Sequence, residues 1–454
     1  GSVRDGVLYI PVDPQVKAVL EELLVPHTVE EGNYVIRTPL VLIAGLGLSY
    51  DLRKNATWNA LPPFTNGLVM AEHLSGIKMR SKAGTRIGGR MGRPGKSAPR
   101  KMKPPVHVLF PIGESGGMKR SIDNAAKVCN ANLSGGVFSG TSVTTGQVEG
   151  MIHVETGERK CPSCGTVTYK SRCPECGTHT DAVYRCPRCN TISLPNEELC
   201  PRCGAPVVCQ RDSVLSLRQE YDAALAVTGL SASDIPELKG VRGLISKERV
   251  VEPLEKGILR AANDVYVFRD GTVRYDMIDL PLTHFRPAEI AVSVAKLREI
   301  GYTKDMHGEE LVSPDQVVEL NPQDILVSED CGEYLVRVAK YMDQLLEKLY
   351  GLPAFYHAEV PEDLVGQLIL GLAPHTSAGV LARLIGFTKA KAGYAHPFYH
   401  AAKRRNCDGD EDCVMLLMDG LVNFSRSFLP STRGGTMDAP LVLTTTLHPK
   451  EVDK

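Results

Sequence analysis

Four Cys-x-x-Cys pairs, Cys161/Cys164, Cys173/Cys176, Cys186/Cys189 and Cys200/Cys203, stand within one short stretch of the chain. Two residues between thiols let both sulfurs reach one tetrahedral ion. Gly165, Gly177, Asn190 and Gly204, directly after the pairs, permit the positive φ that closes a metal knuckle. Sequential pairing leaves spacers of 8 and 10 residues between the pairs of each site, which suits two ribbon-like sites of four thiolates, although interleaved pairing uses the same residue types. The expected ions are two structural Zn2+. A redox dithiol explains four pairs poorly, and a closed thiolate shell leaves no position for water or substrate, so this zinc is not expected to be catalytic. Cys209 stands unpaired nearby and reads as an ordinary buried or partly exposed thiol.

A second stretch carries chemistry of another kind: Lys403-Arg404-Arg405-Asn406-Cys407-Asp408-Gly409-Asp410-Glu411-Asp412. Aspartates at i and i+2 around a glycine can face one side of an extended turn and offer hard oxygens to Mg2+. A second Mg2+ bridged by substrate phosphates would complete a two-metal site for phosphoryl transfer. Three preceding cations make sense near a triphosphate or a nucleic-acid strand. A calcium loop fits less well, because Cys413 stands where such a loop needs glycine and Val414 to Leu417 is apolar. An exposed acidic turn without a ligand is the bland alternative. Gly92-Arg93-Pro94-Gly95-Lys96-Ser97 resembles a phosphate-binding loop, yet Arg90 occupies the place of that motif's first glycine, so no ATPase is expected.

Charge is segregated. The net charge is only -1, but from His73 to Gly113 there is no acidic residue. In that window Lys78, Arg80, Lys82, Arg86, Arg90, Arg93, Lys96, Arg100, Lys101 and Lys103 accompany seven glycines, whose backbone can approach a ligand closely. A polyanion is the expected partner, against the alternative of a solvated basic loop.

These features need a scaffold of several domains. With 454 residues, 43% of them hydrophobic, three or four domains are expected. No run approaches the roughly 20 apolar residues of a membrane helix. The N-terminus, Gly-Ser-Val-Arg, lacks the charged and apolar regions of a signal peptide, and Gly1-Ser2 reads as a remnant of tag removal, so a piece of a longer protein is expected. Cysteines in metal-type pairs point to a reducing compartment, hence a cytoplasmic protein. Spacing and end signals predict helices at 14–23, 212–228, 287–300 and 332–350, with shorter ones at 361–372 and 377–385. Apolar runs predict strands at 40–48, 106–112 and 441–447, and 414–418 is a further apolar run.

The run Lys78-Met-Arg-Ser-Lys-Ala-Gly-Thr-Arg-Ile-Gly-Gly-Arg-Met-Gly-Arg-Pro, the following Arg100-Lys-Met-Lys-Pro-Pro with Leu109-Phe-Pro-Ile-Gly, the paired knuckles and Asn406-Cys-Asp-Gly-Asp-Glu-Asp resemble, in this order, the large subunit of archaeal family D DNA polymerase. The resemblance extends over most of the chain, which is shorter at both ends than that subunit. It implies a mixed α+β multidomain fold with two double-psi β-barrels as in multisubunit RNA polymerases, a zinc-ribbon insertion and helical accessory regions.

The corresponding division is an N-terminal accessory region (1–70), a first barrel with the basic segment (71–155), a double zinc module (156–210), a mainly helical accessory region (211–393) and a second barrel with the acidic loop (394–454). Carried over residue by residue, Asp408 and Asp410 hold Mg2+, Asp412 is a weaker third ligand, and Asn406 supports them. Lys82, Arg86, Lys101 and Lys103 face the incoming nucleotide. Lys78, Arg80, Arg90, Arg93, Lys96, Arg100, Lys403, Arg404 and Arg405 hold nucleic-acid backbone.

The implied function is template-directed DNA synthesis from dNTP on primer-template DNA with two Mg2+. Proofreading is left to a separate small exonuclease subunit, and a sliding clamp is reached only through regions that this chain lacks. An RNA polymerase-like or primase-like enzyme and a non-catalytic zinc-ribbon scaffold are the competing readings.

Overall fold

The side chain of Asp13 accepts the backbone amides of Gln15 at 2.8 Å and Val16 at 3.2 Å, and Pro14 supplies a preset φ behind it. These two residues start a helix where the sequence predicts one. The structure, a computed structural model, describes residues 1–23, 25–60, 67–78, 97–128, 149–193, 197–432 and 434–448. The chain forms two units, Gly1–Arg86 and Ile87–Lys454. In the first, β1 (Ser2–Arg4), β2 (Val7–Pro11), β3 (Thr28–Glu30) and β4 (Asn33–Ile36) form an antiparallel sheet in the order β1-β2-β4-β3. Helix α1 (Pro14–Glu22) joins β2 to β3, and Leu8, Leu20, Tyr34, Ile36 and Ile43 close its core. The strand predicted at 40–48 is instead a short helix, α2 (Leu40–Gly45). An apolar run this short has no period that separates helix from strand.

In the second unit, β5 (Met151–Gly157) and β6 (Gln210–Ser216) pair antiparallel over their whole length, ending at Gly157 opposite Gln210. Everything between them is the cysteine module, held on a two-stranded stem. The helix predicted from residue 212 begins later, because 210–216 is spent on this ladder. It is α3 (Leu217–Thr228), stopped by Gly229 at φ 65 as the sequence predicts.

The run 106–112 is buried as expected, but it is an irregular extended segment and not a strand. His107 N donates to Lys239 O at 2.9 Å, Leu109 N to the Glu252 carboxylate at 2.8 Å, and Ile112 N to Val241 O at 2.9 Å. A buried carboxylate and an irregular chain thus replace a neighbouring strand. The buried Arg260 guanidinium ties this segment to α4 (Leu254–Ala262), bonding Glu252 at 2.8 Å and His107 O at 3.0 Å.

Within α4, a Cβ on Gly257 would lie 2.5 Å from the Val108 Cβ. Gly257→Ala gains about 1 kcal/mol of helix preference but overpacks against an atom fixed to the backbone, at about 1–3 kcal/mol. Thermal unfolding is therefore expected to show a lower midpoint for this variant. An unchanged or higher midpoint would mean that the helix and the segment are not packed this closely.

The largest core surrounds a barrel of six strands: β7 (Tyr275–Pro281), β8 (Asp324–Ser328), β9 (Leu368–Leu372), β10 (Ala378–Thr388), β11 (Ala392–Ala395) and β12 (Glu411–Leu416). Around the barrel the order is β8-β11-β7-β12-β9-β10, and β10 pairs back to β8, closing the sheet. The pairs β7–β11 and β8–β10 are parallel and the other four antiparallel. Met277, Ile325, Ile369, Val380, Leu384, Val414 and Leu416 belong to its core, and α5 (Glu329–Leu345) packs on it.

That barrel overturns several expectations. Residues 361–372 form one short turn and then β9, and all of 377–385 but Ser377 falls in β10, where helices are predicted. The segment 211–393, expected to be mainly helical, supplies four of the six barrel strands and the first half of β11, leaving the rest of β11 and β12 for the segment from 394. The expected helix at 287–300 is reduced to a turn at Pro287–Glu289 and a helix at Val294–Glu299. The helix predicted at 332–350 begins three residues earlier, and Gly351 at φ 65 ends its last turn. The late strand is Val442–Thr444, paired to β10. One closed barrel is present among the described residues. The segment 71–155, expected to form another, contributes among them only β5 and the two-residue strand Ala98–Pro99, which pairs with β7. No helix among the described residues is long and apolar enough to cross a membrane.

Candidate active-site loop and metal centres

The eight knuckle cysteines gather into two groups, Cys161, Cys164, Cys173 and Cys176, and Cys186, Cys189, Cys200 and Cys203. This is the sequential pairing. Within the first, the Cys161–Cys176 and Cys164–Cys173 sulfurs are 3.5 Å apart; in the second, Cys186–Cys203 are 3.4 Å and Cys189–Cys200 3.5 Å apart. Sulfurs at about 2.3 Å from a tetrahedral zinc stand about 3.8 Å apart, so both groups have nearly the spacing to hold zinc. Each knuckle turns on the predicted residue, with Gly165 at φ 78, Gly177 at φ 72, Asn190 at φ 59 and Gly204 at φ 67. The Thr166 hydroxyl, 3.1 Å from the Cys164 sulfur, lowers that thiol to about 6, and Thr191 does the same at Cys189. Thiolate, the form that binds metal, is favoured at those two sulfurs, while Cys161 and Cys203 in the same groups are raised. Cys209 lies buried beside the second group without joining it, its thiol pushed up to about 11 by burial.

The acidic stretch forms the loop between α6 (Pro397–Ala402) and β12. His396 caps α6 by accepting the Phe398 amide on Nδ1, and Arg404 at φ 58 turns the chain out of the helix. The half-buried Asp408 and Asp410 flank Gly409, whose φ of 91 lets the turn close. Asp410 is held from three sides. Its carbonyl accepts the Asp279 amide at 3.0 Å, its carboxylate accepts the Asn406 amide at 3.4 Å, and Arg405 Nη1 stands 3.8 Å from the same oxygen. The Asp410 side chain keeps 36% of its surface exposed, enough to reach a ligand. The Cys407 thiol is raised by partial desolvation and by the charges of Asp408 and Asp279.

Two residues assigned outward roles from sequence turn inward. Lys403, expected on nucleic acid, is fully buried: its ammonium lies 2.5 Å from Asp279 Oδ2, contacts Asp412 Oδ2 and stands over the Tyr399 ring at 4.4 Å from its centroid. Asp412, expected as a third metal ligand, is buried too and accepts its own neighbour's amide, Cys413 N, at 2.8 Å. Burial would lower the lysine, but the charges of Asp279 and Asp412 outweigh it and hold the ammonium well above its ordinary range. Burial pushes the Asp412 carboxyl up to about 7 against the pull of Lys403. The proton belongs on the amine, which binds it far more tightly than a carboxyl does. Burial and Lys403 lower His400 to about 4, so the ring is neutral and Nε2 donates to Leu280 O at 3.1 Å and Ala395 O at 3.2 Å. Asp279 was missed by sequence reasoning. Its one signal is a carboxylate inside the apolar strand-like stretch 275–281.

The basic residues divide. Lys78, Lys101, Lys103 and Arg404 are exposed, and Lys101 Nζ lies over the Tyr266 ring at 4.1 Å. Arg100 is instead drawn to Asp276 at 3.4 Å and Asp438 at 3.9 Å, with its guanidinium over Phe268, so it is partly neutralised. Arg405 is committed to the loop, donating to Pro374 O as well as facing Asp410. Arg80, Lys82, Arg86, Arg90, Arg93 and Lys96 lie outside the described residues. Pairing of Ala98–Pro99 with β7 puts the start of 98–103 beside the strand whose Asp279 pins the acidic loop. Asp279 is three residues beyond the end of that pairing, roughly 10 Å along the strand.

Residues 231–454 match the family described as "DNA polymerase II large subunit DP2, catalytic domain", and residues 1–193 match "DNA polymerase II large subunit DP2, central domain". The barrel, the acidic loop and everything that pins it fall in the first match. Three similar proteins bear the name DNA polymerase II large subunit. That of Methanocorpusculum labreanum is 77% identical over 454 residues, with 100% of this chain and 40% of the relative covered. That of Methanoculleus marisnigri is 44% identical over 620 residues, covering 100% and 47%. That of Methanocella arvoryzae is 51% identical over 458 residues, covering 100% and 39%. The chain thus spans less than half the length of these relatives. From the two domain matches and the identity along its whole length, the chain belongs to the large-subunit family of the archaeal family D DNA polymerases.

Proposed function

We propose that this chain carries template-directed DNA synthesis, transferring nucleotide from dNTP to a primer 3'-hydroxyl. One observation carries the reading: two partly exposed carboxylates, Asp408 and Asp410, stand on a loop pinned by the Asp279 amide at the rim of a closed barrel. Their donor set of hard oxygens suits Mg2+. Two ions are proposed, held by Asp408 and Asp410 together with substrate phosphates. When bound, they supply Lewis acidity that lowers the pKa of the primer hydroxyl and neutralises triphosphate charge.

The protein's own residues do the rest. Asn406 and Arg405 hold Asp410 in place, and the exposed Lys101 and Lys103 draw phosphate toward the barrel. Arg404 and the basic residues of 78–96 grip template and primer backbones without reading sequence. The six-stranded barrel, with its mixture of parallel and antiparallel pairs, is one of the two double-psi barrels that we propose for the family. The two cysteine groups hold structural Zn2+. The partners are primer-template DNA, dNTP and the small proofreading subunit. A sliding clamp is engaged through other parts of the large subunit. The setting is the cytoplasm, at the nucleoid.

Primer extension by the full-length large subunit, with and without the Asp408 and Asp410 carboxylates, tests this function, and deoxynucleotides run against ribonucleotides test the sugar. Because phosphate contacts dominate, DNA affinity is expected to fall by about 10^3-fold or more between 50 and 200 mM salt. A salt-independent Kd would remove the basic segment from the account.

A further inference from the structure

Lys403 and Asp412 are the two ends of the acidic loop, the first where the chain leaves α6 and the second where it enters β12. They are nine residues apart in sequence, yet the lysine ammonium touches the Asp412 carboxylate. The same ammonium bonds Asp279 on the neighbouring strand β7 at 2.5 Å. Opposite Asp412 in the ladder stands Met277, so Asp279 lies two residues farther along, level with Asp410, whose carbonyl it holds through its amide. The Tyr399 ring faces the same ammonium at 4.4 Å and is fixed by a 2.9 Å hydrogen bond from its hydroxyl to Val380 O in β10. One buried cation therefore closes the neck of the loop and anchors it to the strand that supports its tip.

We infer that Lys403 is a positioning residue that sets the spacing of the metal-holding carboxylates by clamping the neck of their loop between Asp279 and Asp412. This rests on the proposed role of Asp408 and Asp410. A buried ion pair that served stability alone would not need to join both ends of this loop. Charge alone is also a poor account, since the lysine brings two carboxylates to the site and offsets only one of them.

The test is Mn2+ binding to the full-length large subunit, followed by loss of the free-ion EPR signal. Asp408→Asn with Asp410→Asn defines the share of binding that belongs to the loop. Lys403→Met with Asp412→Asn removes one positive and one negative charge, so the formal charge near the loop is unchanged. It is expected to weaken the loop's Mn2+ binding by about 10- to 100-fold, while zinc content and DNA affinity stay at wild-type values. Lys403→Arg keeps a cation in the neck and covers the case in which the double variant does not fold. Its planar head cannot occupy the same point, so part of the same loss is expected. Wild-type Mn2+ affinity in either folded variant overturns the inference. If removing both loop carboxylates leaves Mn2+ binding unchanged, the metal-site reading itself fails instead.

Discussion

Asp408→Asn combined with Asp410→Asn is expected to abolish primer extension, by at least about 10^3-fold or about 4 kcal/mol of transition-state stabilisation, and to leave DNA binding intact. Asparagine keeps the size of each side chain and an acceptor oxygen, so the Asn406 amide retains a partner. The Asp279 bond is made to the backbone carbonyl of Asp410 and is untouched. Both positions are partly exposed, and fold stability should change by no more than about 0.5 kcal/mol. What disappears is two negative charges with hard oxygens, which are what a divalent ion at a triphosphate requires. Extension assays and fluorescence anisotropy on labelled primer-template separate chemistry from binding. Full activity in the double variant would return the chain to the scaffold reading.

The second large effect is on zinc. Cys173→Ser with Cys176→Ser is expected to lower the bound zinc from two ions to one and to open the first ribbon to proteolysis, with the ladder of β5 and β6 preserved. Little else holds the ribbon apart from Tyr169, which is buried in the core beneath the stem. The strands around the first group are two residues long, and the apolar cluster of the module sits around the second group, on Tyr184, Cys186, Cys200, Ala205, Val207 and Cys209. A structural zinc contributes about 10–16 kcal/mol of binding free energy to such a small domain, far beyond what this packing replaces. The stem is different: seven paired residues and buried Ile152, Val154 and Leu215 belong to the core beneath it. Zinc release measured with a chromogenic chelator, alongside limited proteolysis, checks both halves. Retention of two ions in the variant would contradict the sequential grouping.

Local signals were legible in the sequence. Asp13-Pro14 starts a helix, Gly229 and Gly351 end helices, and each knuckle turns on the residue after its second cysteine, because all of these depend on a few neighbouring dihedral angles and hydrogen bonds. The barrel was not legible. Residues 378–388 carry leucine, alanine and arginine, which favour helix, but they become β10 by pairing with the preceding 368–372 and with 324–328, which no local window contains. The same distance hid Asp279, which lies 124 residues from Lys403. Consecutive Lys403, Arg404 and Arg405 read as one solvated charge run. The turn out of α6 sends them three ways, into the barrel, into solvent and onto the loop. A charge pattern shows that cations are present, and only the fold decides which of them can meet a phosphate.

The loop between α6 and β12 is proposed to hold the catalytic metal. This is tested most directly by anomalous diffraction from crystals of the full-length large subunit with primer-template DNA, an unreactive dNTP analogue and Mn2+. A manganese peak is expected within coordination distance of both the Asp408 and Asp410 carboxylates, with none at Asp412. Manganese bound elsewhere, with those two side chains empty, would contradict it.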